Sequence, residues 1–395
     1  MKTIEVGVYV HMPFCLSKCP YCDFNSYANR TELRDAYVEA LCREISLVVE
    51  QSRERSEEYL ARTLYFGGGT PTLLAPAHLE RILSAAAREI GWHPGLETSV
   101  EANPGTVDVA LVRHLRSLGI NRVSLGAQSL DDAALRGLGR IHNAAQAMQA
   151  FEDCRLGGIE NVNVDLIYGL PQFSVHQWRQ TLERAIALAP NHLSLYPLTV
   201  EPNTPFHSRL ERGDLAVPTD DEVAEMYELA EDMLAEAGYD HYEISNWARA
   251  ARNDVGERDY RCQHNLIYWR NEPYVGLGAG AHSSLRSRRF HNALSPEDYV
   301  SSIARGTLPI AFSEAIDRKL EMAETAILRL RLSEGIARSS FRERFGEELD
   351  GAFGRRMQDA IGHGLVADDG ETMALTSRGR LLANEVFIAI LGKNL

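Results

Sequence analysis

The sequence predicts an α/β fold, and three observations carry that expectation. Strand-like apolar runs alternate with helical patterns across the first half of the chain, the units recur at roughly 30-residue spacing as βαβ units do, and the chemically distinctive residues gather where those runs end. The first run is VGVYV (6–10), followed by a loop with three cysteines and by apolar residues at helical spacing over 35–49. TLYF (63–66) precedes GGGTPT and a helical stretch at 77–90. ETSVEA (97–102) precedes NPGT and a helix over 107–118. RVSLG (122–126) leads through QSLDD to helices near 131–138 and 143–156, and NVNVDLIYG (161–169) leads through LPQ to 174–188. HLSLYPL (192–198) closes the series.

Six such units fall short of the eight of a closed TIM barrel, so a partly open six-unit barrel and a doubly wound open sheet are both solutions. Either one places ligands at the carboxyl ends of the strands. The cysteines follow the first strand and three glycines the second; Glu101 and Asn103 end the third, Gln128 follows the fourth and Asp165 lies in the fifth. All are expected at one mouth.

Past residue 205 the pattern changes. A helix is predicted over 219–237, then YDHYEISNW (239–247), a polar arginine-rich stretch (249–261) and HNLIYW (264–269). Short helices near 319–332, 340–348 and 352–363 precede a hairpin built on GLV and ALT, the pattern of a small winged-helix-like α+β domain. The expected division is 1–237, 238–310 and 311–395. The last segment has no helix rich in Lys and Arg for reading DNA and reads as a lid or interaction domain.

Composition sets further bounds. With 395 residues, 45% hydrophobic and 24% charged, the chain can bury a sizeable core and exceeds one average domain. A net charge of −14 argues against broad attachment to nucleic acid or anionic lipid, although Arg53–Arg55 and Arg286–Arg289 are local basic patches. The opening MKTIEVGVYVHMPF reads as a first strand, not a signal peptide, and no apolar run approaches membrane-spanning length. A soluble, cytoplasmic protein is expected.

Of six cysteines, Cys15, Cys19 and Cys22 lie within eight positions, while Cys42, Cys154 and Cys262 are scattered. Clustering of this kind in a reducing compartment points to a metal or redox site. A structural zinc site needs a fourth ligand, for which His11 or Cys262 is available. An iron–sulfur cube takes three thiolates and leaves one iron open. Three core thiols are a poor fit to a loop holding Pro13, Lys18 and Pro20.

The stretch YVHMPFCLSKCPYCDFNSY (9–27) resembles the cluster loop of the radical S-adenosylmethionine (SAM) superfamily, and within it the coproporphyrinogen dehydrogenase and heme-chaperone group of HemN-like and HemW-like proteins. The likeness runs on through GGGTPT (67–72), EANPGT (101–106), GAQS (126–129), LGRIHN (138–143), DLIYGLP (165–171), YPLTVEPNTPF (196–206) and HNLIYW. It implies a partial (β/α)6 TIM-like barrel of radical SAM type with a HemN C-terminal-like domain. It also implies a [4Fe–4S] cluster on Cys15, Cys19 and Cys22 whose open iron chelates SAM. Gly68, Gly69 and Thr70 match positions lining the methionine moiety, Tyr9 and Tyr21 match aromatic neighbours, and Glu101 matches a polar contact to SAM. Gln128, Arg140 and Asp165 match residues that contact SAM, a second molecule included.

Two departures separate this chain from the dehydrogenase. Phe24 stands where that enzyme has a fourth cysteine, and only fourteen residues precede Cys15. Both favour the heme-chaperone branch, whose signature HNxxYW is present, over coproporphyrinogen III oxidation; the radical SAM fold leaves catalysis as such open. For that branch the resemblance implies heme as cargo, with His264, Tyr268 and Trp269 of the signature as candidate contacts; by side-chain chemistry Cys262 is an alternative thiolate ligand, and His282 in GLGAGAHS (276–283) is a further imidazole placed behind His264. It implies acceptor hemoproteins as partners, with respiratory membrane enzymes, transient membrane association and a homodimer as compatible extensions.

Overall fold

The computed structural model describes residues 1–249 and 258–392. The central series of strands is β1 (Lys2–Met12), β2 (Glu57–Gly68), β3 (Gly91–Ala102), β4 (Arg122–Gln128), β5 (Asn161–Tyr168) and β6 (His192–Pro197), each paired parallel to the next. Helices α1 (Arg34–Glu54), α2 (Pro76–Glu89), α3 (Val109–Ser117), α4 (Asp132–Gly137), α5 (Ala144–Leu156) and α6 (Val175–Ala187) connect them. The six expected βα units are therefore present, and the fold is the mixed α/β arrangement of a partial barrel. Their boundaries are set by ordinary chemistry: Asn143 and Ser174 close capping boxes with Gln146 and Gln177 at the starts of α5 and α6.

The sheet extends past both ends of this series. β7 (Tyr239–Glu243) and β8 (Asn246–Arg249) form an antiparallel hairpin whose second strand pairs with β6. Beside β1 lies β9 (Tyr274–Leu277), parallel to it, followed by the antiparallel run β10 (His282–Leu285), β11 (Arg288–Asn292) and β12 (Ile310–Ala315). Segment 238–310 is thus continuous with the barrel sheet. The arginine-rich stretch expected at 249–261 lies largely outside the described residues.

Alternation along the strands sorts the core. Val6, Val8, Val10, Leu64, Phe66, Val100, Val123, Leu125, Val162, Val164, Leu193 and Leu195 are buried against the helices. The opposite face carries Tyr9, Thr63, Tyr65, Glu97, Glu101, Arg122, Ser124, Asn163, Asp165, His192 and Ser194, so the barrel interior is polar where its outside is dry. Buried polar groups on this scale require partners or a ligand.

The C-terminal region has its own core of Met322, Leu330, Phe341, Phe345, Phe353, Met357, Val366, Leu375 and Ile390. Helices Arg318–Leu330, Arg338–Phe345 and Leu349–Gly362 pack with a small antiparallel sheet of Ile336–Ala337, Thr372–Leu375 and Val366–Asp368, giving the winged-helix arrangement. It docks on the barrel through the paired Arg380 and Glu231 and through backbone bonds from Ile244 to Arg331 and from Ser333 to Tyr242. No helix among the described residues is long and apolar enough to cross a membrane.

Candidate functional site

A cavity of about 490 Å³ opens at the carboxyl ends of the strands. Its lining brings together Cys15, Cys19, Cys22, Tyr9, Tyr21, Gly68, Gly69, Glu101, Gln128, Arg140, Asp165, His264 and Tyr268. Thr70 sits one shell out, where its backbone N–H donates to the Phe14 carbonyl (2.8 Å) and its hydroxyl lies 3.9 Å from Cys15 Sγ.

The cysteine loop is held from several sides. Lys18 Nζ donates to the carbonyls of Phe24 (3.0 Å) and Ser26 (3.2 Å), tying the segment after Cys22 back to the segment before Cys19. The Tyr27 N–H donates to the Pro13 carbonyl (2.7 Å) and the Phe206 N–H to that of Pro20 (3.0 Å). Arg140 Nη1 approaches Cys19 Sγ at 3.5 Å, while its Nη2 donates to the Gly126 carbonyl (2.9 Å) and to Asn103 Oδ1. One guanidinium thus joins the loop to the ends of β3 and β4 and places positive charge beside the Cys19 sulfur. Burial pushes the Cys15 and Cys22 thiols above their ordinary value.

The donor set fits a cluster better than a single ion. Among the described residues no three His, Cys, Asp or Glu side chains converge closely enough to hold one metal ion. The two groups available to complete a zinc site are engaged elsewhere: His11 binds Tyr9 Oη (3.0 Å) and the Asn25 carbonyl (2.8 Å), and the buried Cys262 thiol faces Glu97. Three thiols on one loop at a cavity wall suit a cube with one free corner.

Glycines after β2 give the cavity its floor. A Cβ at Gly69 would lie 2.6 Å from the Phe14 carbonyl oxygen and 2.8 Å from that of Met12, so only glycine lets this backbone pass the cysteine loop. Gly68 has φ +110°, a conformation open to glycine, and its N–H donates to Glu101 Oε2 (3.0 Å). Glu101 Oε1 accepts from Tyr65 Oη (2.9 Å). Burial first, then the nearby Asp165 charge, raise the Glu101 carboxyl to about 7. Asp165 accepts from Asn163 Nδ2 (2.7 Å) and from the Ser124 hydroxyl, and burial raises it too. Gln128 ends β4 with φ +66°, a left-handed backbone uncommon for a side-chain-bearing residue.

Below the mouth lies a polar network of which the sequence pattern points out only Cys262 and His264. The Gln263 and His264 N–H groups donate to Glu97 at 3.2 and 3.3 Å, and the Cys262 N–H donates to Tyr242 Oη (3.3 Å). Tyr242 Oη pairs with His192 Nε2 (2.8 Å), whose Nδ1 meets Asn163 Oδ1 (2.6 Å). Arg122 is buried among Glu97, Cys262 and Tyr65. The signal that could have found these residues was the i, i+2 recurrence of polar groups: Glu97, Ser99 and Glu101; Arg122 and Ser124; Asn161, Asn163 and Asp165.

The HNLIYW segment forms a short helix, Gln263–Trp269. His264 is 2% exposed, stacked on Tyr65 (4.9 Å, 19°), with Nδ1 at 2.6 Å from Thr63 Oγ1 and Nε2 at 2.9 Å from Tyr268 Oη. Burial, then Arg122, lower its basicity to about 3, so the imidazole is neutral. Tyr268 reaches the cavity, but Trp269 does not: it packs with Leu266, Leu332 and Tyr242 beneath the Arg331 guanidinium (4.4 Å) at the seam with the C-terminal domain.

A partial barrel whose three-cysteine loop faces glycines and buried carboxylates at the strand ends defines a radical SAM protein, and residues 9–185 match the radical SAM superfamily while 316–382 match the HemN C-terminal domain. The chain belongs to the HemW family within that superfamily. It is 34% identical to the heme chaperone HemW of Bacillus subtilis (strain 168), over 98% of this chain and 99% of that one. To the heme chaperone HemW of Escherichia coli (strain K12) it is 33% identical, over 98% of this chain and the whole of the other. In structure it resembles coproporphyrinogen III oxidase (HemN) from Escherichia coli, described as a radical SAM enzyme, with a TM-score of 0.83 at 22% identity, covering 98% of this chain and 90% of that one. That likeness speaks to the fold alone.

Proposed function

We propose that this protein binds heme and delivers it to acceptor hemoproteins, and that it carries a [4Fe–4S] cluster on Cys15, Cys19 and Cys22 with SAM beside it. The observation that carries the reading is the end-to-end similarity to heme chaperones, joined to Phe24, largely exposed, two positions past Cys22. When bound, the cluster supplies an electron donor and one iron open to a chelating ligand.

The chain's own residues prepare the place. Gly69 lets the backbone approach the loop, Glu101 fixes the Gly68 N–H, and Arg140 places a cation against Cys19. Glu101 and Asp165 present buried carboxyl groups toward the space a sulfonium or ammonium would enter, and a cation bound there would favour their charged forms. Tyr9, Tyr65 and Tyr268 form an aromatic wall for a flat apolar ligand. Acceptor hemoproteins, respiratory membrane enzymes among them, and cytoplasmic residence belong to the same proposal.

Anaerobic incubation of the cluster-reconstituted chain with SAM, reductant and coproporphyrinogen III separates this reading from oxidative decarboxylation. The expected outcome is no vinyl product, alongside a Soret change on hemin addition. Turnover to vinyl porphyrinogen would overturn it.

A further inference from the structure

We propose that the iron of the cargo heme is ligated by His282, on the wall of a second cavity beside the cluster site; this rests on the heme-binding reading above. The second cavity, about 370 Å³, shares Tyr9, Phe24, Gly68, Glu101 and Tyr268 with the first and adds His11, Asn25, Tyr274, Gly280 and His282, His11 being held by Tyr9 and the Asn25 carbonyl. Its volume lies in the range of small-molecule sites, and its walls are largely aromatic.

An axial ligand needs a neutral imidazole with a free nitrogen facing open space. His264 lacks the second property: it is buried, and Thr63 and Tyr268 hold its two nitrogens, so ligation there would first have to break a bond in the barrel interior. His282 is exposed, lines the cavity, and neither of its ring nitrogens is hydrogen-bonded among the described residues. Partial burial, then the neighbouring His291 and Arg289, lower its pKa, which keeps the imidazole neutral.

The surroundings suit a macrocycle. His282 pairs across β10 and β11 with His291 (ring centroids 4.9 Å), and His291 pairs across to Phe312 on β12 (5.6 Å, 22°). Cross-strand partners share a face of the sheet, so Phe312, His291 and His282 make a row of rings on one face leading to the cavity, the His282 ring tilted 37° from that of His291. Phe312 is 49% exposed, and across the opening Phe24 is 61% exposed. Two solvent-facing phenyl rings flanking an unengaged imidazole are costly to leave in water and are covered when an apolar ring system binds. The row also explains a use for β10–β12, which the cluster chemistry does not call upon. Phe24, in the position that decides against a fourth cysteine, becomes part of the heme wall.

The test is hemin titration of the full chain under anaerobic conditions, read in the Soret region, with His282→Ala, His291→Ala and His264→Ala compared with the unaltered protein. His282→Ala is expected to weaken hemin binding by about tenfold or more and to move the Soret maximum, and added imidazole should restore the original band; His291→Ala should keep the band position. Because His282 is exposed, its variant should fold, which circular dichroism checks. An unchanged titration for His282→Ala overturns the ligand assignment, as does loss of the band in His264→Ala with His282→Ala intact. An unaltered protein that gives no Soret change overturns the heme reading itself.

Discussion

Replacing Glu101 by Gln should remove a measurable dependence of stability on pH. The carboxyl is buried, accepts one bond from Tyr65 and one from the Gly68 N–H, and titrates at about 7 against an ordinary 4.5. Its pKa is raised in the folded chain, so the folded form holds a proton that the unfolded form has released between those two values. Stability contributed by this group is present below pH 4.5 and lost as pH rises through 7. At about 1.4 kcal/mol per pH unit the loss amounts to about 3 kcal/mol. Gln suits the pocket, because its carbonyl can accept from Gly68 and its amide can donate to Tyr65 Oη. Urea unfolding of the cofactor-free chain at pH 5, 6, 7 and 8 reads the effect: the variant should gain on the unaltered protein by about 2–3 kcal/mol across that range. Parallel curves would refute the assignment of a strained, buried carboxylate at this position.

Three further outcomes follow from the same geometry. Arg140→Met removes the cation beside Cys19 and the tether to Gly126; iron and sulfide content after reconstitution should fall while far-ultraviolet dichroism is retained, and full cluster loading would contradict the role given to Arg140. Gly69→Ala drives a Cβ into the carbonyls of Phe14 and Met12, so it should lose the cluster absorbance and about 2 kcal/mol or more of stability. Thr63→Val breaks the 2.6 Å contact to His264 Nδ1 inside the barrel; it should cost about 1–3 kcal/mol in urea unfolding and leave the hemin Soret position where it was.

What could be read from the sequence was what periodicity and clustering encode. VGVYV, RVSLG and NVNVDLIYG are strands because apolar side chains alternate against the helix layer, and each was found where expected. The mouth of the barrel followed from the rule that loops after strands carry the chemistry, and it gathers the cysteines, Gly68, Gly69, Glu101, Gln128, Arg140 and Asp165. The strands HSSL and RRFHN were not legible, since edge strands of a half-solvated sheet carry polar residues and no apolar run. Nor was the fate of HNLIYW: helical spacing puts His264 and Tyr268 on one face, four residues apart, and turns Trp269 toward Leu332 and Arg331, a partner some sixty residues away in the chain. Long-range packing of that kind leaves no local trace.

Transfer is the claim on which the account turns, and one measurement meets it directly. Hemin-loaded, cluster-reconstituted chain is mixed with an apo-hemoprotein, the two are separated, and the Soret spectrum of each is recorded over time. Heme should leave this protein and appear in the acceptor faster than free hemin released by dilution alone. Heme that stays bound, or that reaches the acceptor no faster than from buffer, would contradict a delivering role.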